Sequence, residues 1–243
     1  MNNYKRYFLT SESVTEGHPD KVCDYISDSI LDACLEQDKN SRVAVETFIS
    51  NGQVSIAGQI TSNANVDIEK ITREKLKEVG YDDEETSMDY RTCKINVNIV
   101  KQSNDIAIGV DEGGAGDQGI MFGYAHHGGG AFSGKDGTKV DKSASYMLRH
   151  IAKCVVANGL ARKCEIQISY GIGMKNPISF YIDCFGTNRI PEIDIINIIK
   201  DTFDLTPEGI IDYLKLKEPI YSKTTNYGHF GRDGFTWEEL KQI

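Results

Sequence analysis

RVAVETFISNGQVSIAGQI, residues 42–60, is the stretch from which a fold can be built. Two strands are predicted, 42–49 and 53–60, joined at Asn51-Gly52, the strongest short-range hairpin signal because both residues tolerate positive φ. Glu46 is the one charged residue from Val43 to Ile49, and it shares a strand face with Ala44 and Phe48. With the turn at Asn51-Gly52, Gln59 on the partner strand lies diagonally from Glu46 on that face. If the face is covered, the carboxylate needs a cation or a donor network, because burying it unpaired is costly. A solvated face would ask nothing of it.

Working outward, Pro19 and Asp20 are ordinary helix-start signals, and Val22, Ile26, Ile30 and Ala33 then recur at helical spacing. A short strand is expected before that helix at residues 4–9. After the hairpin, residues 66–79 read as an amphipathic helix carrying Ile68, Ile71, Leu76 and Val79. Residues 91–100 read as a half-buried strand that alternates Cys93, Ile95, Val97 and Ile99 with polar neighbours. The second half repeats the plan. Its first helix, from about Thr138, buries Val140, Ala144, Leu148, Ile151 and Val155, and strands follow at 164–170 and 178–185. Further helices are expected at 192–203 and 207–214. The fold class is therefore α+β: two copies of one unit, each with antiparallel strands covered by helices on one face. The units are residues 1–125 and 126–243, joined in a glycine-rich stretch with neither helical nor strand period.

The chain has 243 residues, 40% of them hydrophobic, enough to build a core. Its net charge of −9 argues against a general nucleic-acid surface or an anionic membrane as partner. Six scattered cysteines without a C-x-x-C pair read as buried thiols, and no stretch approaches a membrane span. A cytoplasmic protein is the expectation.

Three further segments carry chemistry. Glu16-Gly17-His18-Pro19-Asp20-Lys21 delivers an imidazole, a carboxylate and an ammonium to a helix N-terminus, whose unpaired N–H groups favour phosphate oxygens. Asp20 could hold Mg²⁺ against those oxygens, or it could simply complement the helix dipole. In the second, Gly128 to Asp136, glycines let backbone N–H groups approach an anion, and Lys135 and Lys139 add charge four residues apart on one helical face. Gly129 to Lys135 fits G-x-x-x-x-G-K, but Asp136 replaces the magnesium-binding hydroxyl, so a Walker A loop is excluded. A solvated glycine linker is the alternative. The third, Asp111 to Gly119, packs four glycines and three acids into nine residues and reads as a surface loop or a metal-facing turn.

Four stretches in this order resemble the methionine adenosyltransferase (S-adenosylmethionine synthase) family: Ser11 to Lys21, Gly114 to Gly119 with Met121 to Ala125, Gly128 to Asp136, and Tyr227 to Arg232. The resemblance covers almost the whole chain. It implies transfer of the adenosyl group of ATP to the sulfur of methionine, followed by hydrolysis of the tripolyphosphate. It also implies that His18 contacts the departing 5′ oxygen, that Asp20 and Asp141 hold Mg²⁺, and that Lys135 and Lys139 grip the polyphosphate. Lys21 belongs with the ATP site, Glu46 would bind K⁺, and Gln102 and Asp117 would face methionine and adenosine. Partners would be ATP and methionine, in a homodimer or higher homo-oligomer whose sites lie between subunits.

The departures from the family are equally specific. Ala125 runs straight into His126-His127, where the family has a long central portion supplying further phosphate-binding lysine, arginine and aspartate residues. Gln59 stands where the family has a glutamate for the methionine ammonium, a charge-assisted bond lost here. Three readings follow: a reduced synthase of two repeats, a non-catalytic ATP- or polyphosphate-binding or regulatory relative, or a protein that retains only tripolyphosphate hydrolysis.

Overall fold

Strands β1 (Arg42–Ser50) and β2 (Gln53–Thr61) pair antiparallel with Ser50 opposite Gln53, and the turn between them takes φ of 22° at Asn51 and 73° at Gly52. These features belong to a computed structural model that describes residues 14–83, 88–101, 113–122 and 132–243. The strand expected at 4–9, Gln102 and the glycines ahead of Phe132 lie outside those residues. Val43, Val45, Val54 and Ile56 are buried on one face of the hairpin, whereas Phe48 on the other face is 67% exposed. The sheet thus has one covered and one open side.

Strand β3 (Lys94–Val100) joins β2 in parallel, with Val54 beside Ile95, so the first sheet is mixed and ordered β1-β2-β3. It begins later than predicted because Asp89 captures the segment before it. The Asp89 carbonyl accepts from the N–H groups of Thr92 and Cys93 at 3.1 and 2.8 Å, and its carboxylate accepts from the N–H of Arg91 at 2.7 Å. Helix α1 (Pro19–Gln37) covers β1, and α2 (Ile68–Val79) packs against α1 and β3. Val66 and Asp67 fall outside α2, since Asp67 caps it by accepting from the N–H of Lys70 at 3.0 Å.

The second sheet is antiparallel in the order β4-β5-β6, formed by Gly119–Phe122, Glu165–Tyr170 and Ser179–Asp183. Sequence reading missed β4, because four residues after a glycine-rich loop are too few to show alternation. Helix α3 (Val140–Ala157) packs on β4 and β5, α4 (Glu192–Thr202) on β6, and α5 (Pro207–Tyr213) on α3. All five apolar residues predicted for the buried stripe of α3 have 0% exposure. Helix, strand pair and helix recur in an α+β fold, although one sheet is mixed and the other antiparallel.

Several contacts join the two halves, two of them through backbone groups. Gly134 to Asp136 run antiparallel along the free edge of β1, bridging Lys135 to Ala44. One turn further along α1 from Asp28, the Asp32 carboxylate accepts from the N–H groups of Tyr221 and Ser222, each at 2.8 Å. Trp237 is fully buried, stacked on Tyr146 and Phe235 with centroids 4.2 and 4.7 Å apart, and its indole N–H donates to the His229 carbonyl at 2.7 Å. All six cysteines are free thiols and five are buried. Among the described residues no helix is long and apolar enough to cross a membrane.

Candidate active site

Six of the residues singled out from sequence line one cavity of about 410 Å³: Glu46, Gln59, Asp117, Lys135, Lys139 and Asp141. Four segments deliver them. Glu46 lies opposite Ala57, and Gln59 opposite Ala44, so the two side chains sit diagonally on the open face of the first sheet. Asp117 comes from the loop ahead of β4, while Lys135 and Lys139 lead into α3, whose first turn holds Asp141.

The two lysines do not share a helical face, as their spacing had suggested. Helix α3 starts only at Val140, with Lys139 as its N-cap, so Lys135 reaches the cavity from the loop. That loop is held by close approach. Gly134 has φ +75°, and its carbonyl accepts from the N–H of Val45 at 3.0 Å. A Cβ at Gly134 would lie 1.8 Å from the Val45 carbonyl oxygen, so only glycine fits.

Each lysine has an acid beside it. Lys135 Nζ donates to the Asp141 carboxylate at 2.7 Å, and Lys139 Nζ to Asp136 at 2.6 Å. Asp136 is the residue that breaks the Walker pattern, and its side chain, 3% exposed, explains why an acid stands there. It accepts from the N–H of Val43 at 2.5 Å and of Thr138 at 2.8 Å as well as from Lys139. Burial would raise this carboxyl, but Lys139 and these donors outweigh it and hold it below the usual carboxylate range. Asp136 therefore braces the loop, whereas Asp141, with 32% of its side chain exposed, faces the cavity.

Sequence reading also missed a buried pair behind the loop. Asp28 of α1 and Lys142 of α3 are both fully buried, with Lys142 Nζ 3.8 Å from Asp28 Oδ1. Burial pushes the Asp28 carboxyl up to about 7, against the pull of Lys142, and draws the Lys142 ammonium down. A periodicity search could not find Asp28, because the stretch from Ile26 to Leu31 is buried all round.

His18, Asp20 and Lys21 are not brought to this cavity. They stand at the other end of α1, where His18 Nδ1 accepts from the N–H of Asp20 at 3.2 Å and Lys21 pairs with Asp24 at 2.9 Å. Asp28, which meets the loop, lies ten residues along α1 from His18, roughly 15 Å by helical rise. The Asp20 carboxylate is 88% exposed. At that same end the Tyr227 hydroxyl donates to Glu16 at 2.6 Å, so two of the quoted stretches meet there across 211 residues. Gln102 lies outside the described residues.

Comparison with known proteins identifies the family. The S-adenosylmethionine synthetase N-terminal domain model matches residues 6–104, and the C-terminal domain model of the same family matches residues 113–239. Proteins named S-adenosylmethionine synthase from Desulfosudis oleivorans, Sorangium cellulosum and Mesoplasma florum are 36%, 35% and 34% identical. The alignments cover 98%, 97% and 98% of this chain and 97%, 88% and 98% of those relatives. The first runs over 376 positions against a chain of 243 residues, so more than a third of its positions fall opposite no residue here. With both terminal family domains matched in order and the relatives aligned over nearly its full length, the chain belongs to the S-adenosylmethionine synthetase family.

Proposed function

We propose that this chain transfers the adenosyl group of ATP to the sulfur of methionine, at a site completed by a second copy of itself. The observation that carries the reading is the convergence of Lys135, Lys139 and Asp141 with Glu46, Gln59 and Asp117 in one cavity of a chain of this family. A thioether is already nucleophilic, so no base is needed. The work lies in stabilising the charge that builds as tripolyphosphate leaves C5′, which preorganised cations and N–H donors can do.

Lys135 and Lys139 supply two of those cations beside the N-terminus of α3. A phosphate drawing Lys135 away from Asp141 would free that carboxylate, so polyphosphate and Mg²⁺ would be taken up together. Among the described residues no three His, Cys, Asp or Glu side chains group to hold a metal. Mg²⁺ takes one or two carboxylates plus substrate phosphates and keeps several waters. Asp141 fits this donor set, and an exposed Asp20 from a second chain would complete it. Bound there, Mg²⁺ would neutralise charge on the phosphate oxygens. Glu46, exposed on the open sheet face, would hold K⁺.

That His18 does not line the lysine cavity supports a homodimer, in which a second chain would bring the two clusters together. The open face of the first sheet supports it too, presenting Phe48 at 67% exposure and Val100 at 56% beside Glu46 and Gln59. Cytoplasmic location belongs to the same proposal, as does a division into two units with β4 on the side of β5 and β6. Gln59 favours one alternative, in which only tripolyphosphate hydrolysis survives because the methionine ammonium has lost its carboxylate.

Incubating the purified chain with ATP, methionine, Mg²⁺ and K⁺, with tripolyphosphate as a parallel substrate, separates these readings. S-adenosylmethionine together with phosphate is the expected product pair. Phosphate alone would support the hydrolase, and neither product would leave a binding protein.

A further inference from the structure

We propose that Asp28 and Lys142 are positioning residues: a buried clamp, closed from α1 on one side and α3 on the other, that sets where Lys135 meets polyphosphate. The inference rests on the role given to Lys135 above. Every backbone polar group from Gly134 to Asp136 is paired. Four of the bonds are to backbone: the Gly134 carbonyl to Val45, the Lys135 N–H to Phe132, and the two Asp136 groups to Val43 and Lys139. The other two are made by the clamp. The Gly134 N–H donates to Asp28 Oδ1 at 2.7 Å, and Lys142 Nζ donates to the Lys135 carbonyl at 2.8 Å. Lys135 thus has its own carbonyl fixed by one residue and the preceding amide by the other, while its ammonium faces the cavity.

Stability alone does not account for this pair. Taking two charges out of water roughly cancels their attraction, and buried ion pairs are often replaceable by apolar residues without loss. Lys142 stands moreover in the first turn of α3, where the helix dipole opposes a cation. Its ammonium is instead kept against Asp28 and over the Tyr221 ring, 3.8 Å from the centroid. What the arrangement gains is a loop with no freedom to slide, the requirement for a charge that must meet a phosphate oxygen to within a fraction of an ångström.

The test removes both charges together in Asp28→Asn/Lys142→Met, so that no orphan charge is buried, and measures tripolyphosphate Kd by calorimetry beside the melting temperature. The expected result is a melting temperature lowered by only about 5 °C, the cost of leaving the Lys135 carbonyl unpaired, with Kd weakened at least about tenfold, and a Kd within about threefold in Lys142→Arg, which keeps a donor for that carbonyl. A double variant that folds and binds with wild-type Kd overturns the clamp. Lys135→Ala in the same assay separates the two claims. If it binds tripolyphosphate normally, the assignment of the site falls and the clamp with it; if it is crippled while the double variant is not, only the clamp falls. Should the double variant not fold, amide exchange on the wild-type chain decides. The Gly134 N–H must exchange as slowly as the amides of α1, and exchange at the rate of an open loop overturns the proposal.

Discussion

Replacing Gly134 with alanine asks whether the lysine loop is held by close contact or merely rests on β1. The left-handed φ of +75° costs an alanine about 1 kcal/mol. The larger effect is steric, because the new Cβ would lie 1.8 Å from the Val45 carbonyl oxygen, and the loop must withdraw from the strand edge. Withdrawal breaks the 3.0 Å bond from the Val45 N–H, about 1 kcal/mol, and the 2.7 Å bond to the buried Asp28 carboxylate, about 2 kcal/mol. The total, about 4 kcal/mol, corresponds to a fall of roughly 10 °C in melting temperature for a chain of this length. A displacement of about 1 Å at Lys135 should lower kcat/KM about 100-fold. Thermal denaturation followed by circular dichroism, with S-adenosylmethionine formation measured on the same preparation, reads both. Gly80→Ala is the control: φ is +97° but nothing lies within 4 Å, so it should lose about 1 kcal/mol and no activity. Wild-type stability and turnover in Gly134→Ala would refute the reasoning.

Other expectations are as specific. Trp237→Ala empties the stack between Tyr146 and Phe235 and removes the indole bond to the His229 carbonyl, so denaturant titration should show a loss of about 4 kcal/mol. His150, buried beside Tyr213 and the Trp237 carbonyl, has its imidazole pKa lowered by burial. The unfolded chain therefore binds the extra proton first, and stability must fall as pH drops below the ordinary imidazole range. His150→Gln should flatten that acid limb of the denaturation midpoint against pH; an unchanged slope would contradict the assignment. Lys135→Ala should remove polyphosphate hydrolysis by at least about 100-fold, and isotopic phosphate release would detect any residue of it.

Much of this fold could be read from local rules. Asn51-Gly52 set the hairpin and with it the diagonal of Glu46 and Gln59, and the apolar spacing of α3 marked its buried stripe residue by residue. The rest depended on contacts distant in sequence. β4 is four residues long and exists because β5 offers it an edge. Asp28 and Lys142 are 114 positions apart, and neither is unusual until α1, α3 and the loop are brought together. At Lys135 and Lys139 the identity of the residues was legible, but the geometry joining them was not, because it comes from Gly134 and Asp136 docking on β1. The two clusters were foreseen at one site drawn from two subunits, and within one chain His18 does not line the lysine cavity.

That separation leads to the measurement that bears most directly on the account. Asp20→Asn and Lys135→Ala each disable one cluster and leave the other intact. If sites form between two chains, mixing and reannealing the two inactive proteins restores one whole site in each mixed dimer. Half the dimers are then mixed and half their sites whole, so S-adenosylmethionine synthesis should return to about a quarter of wild type. Mixed dimers, verified by differential tagging, that make no S-adenosylmethionine would contradict it.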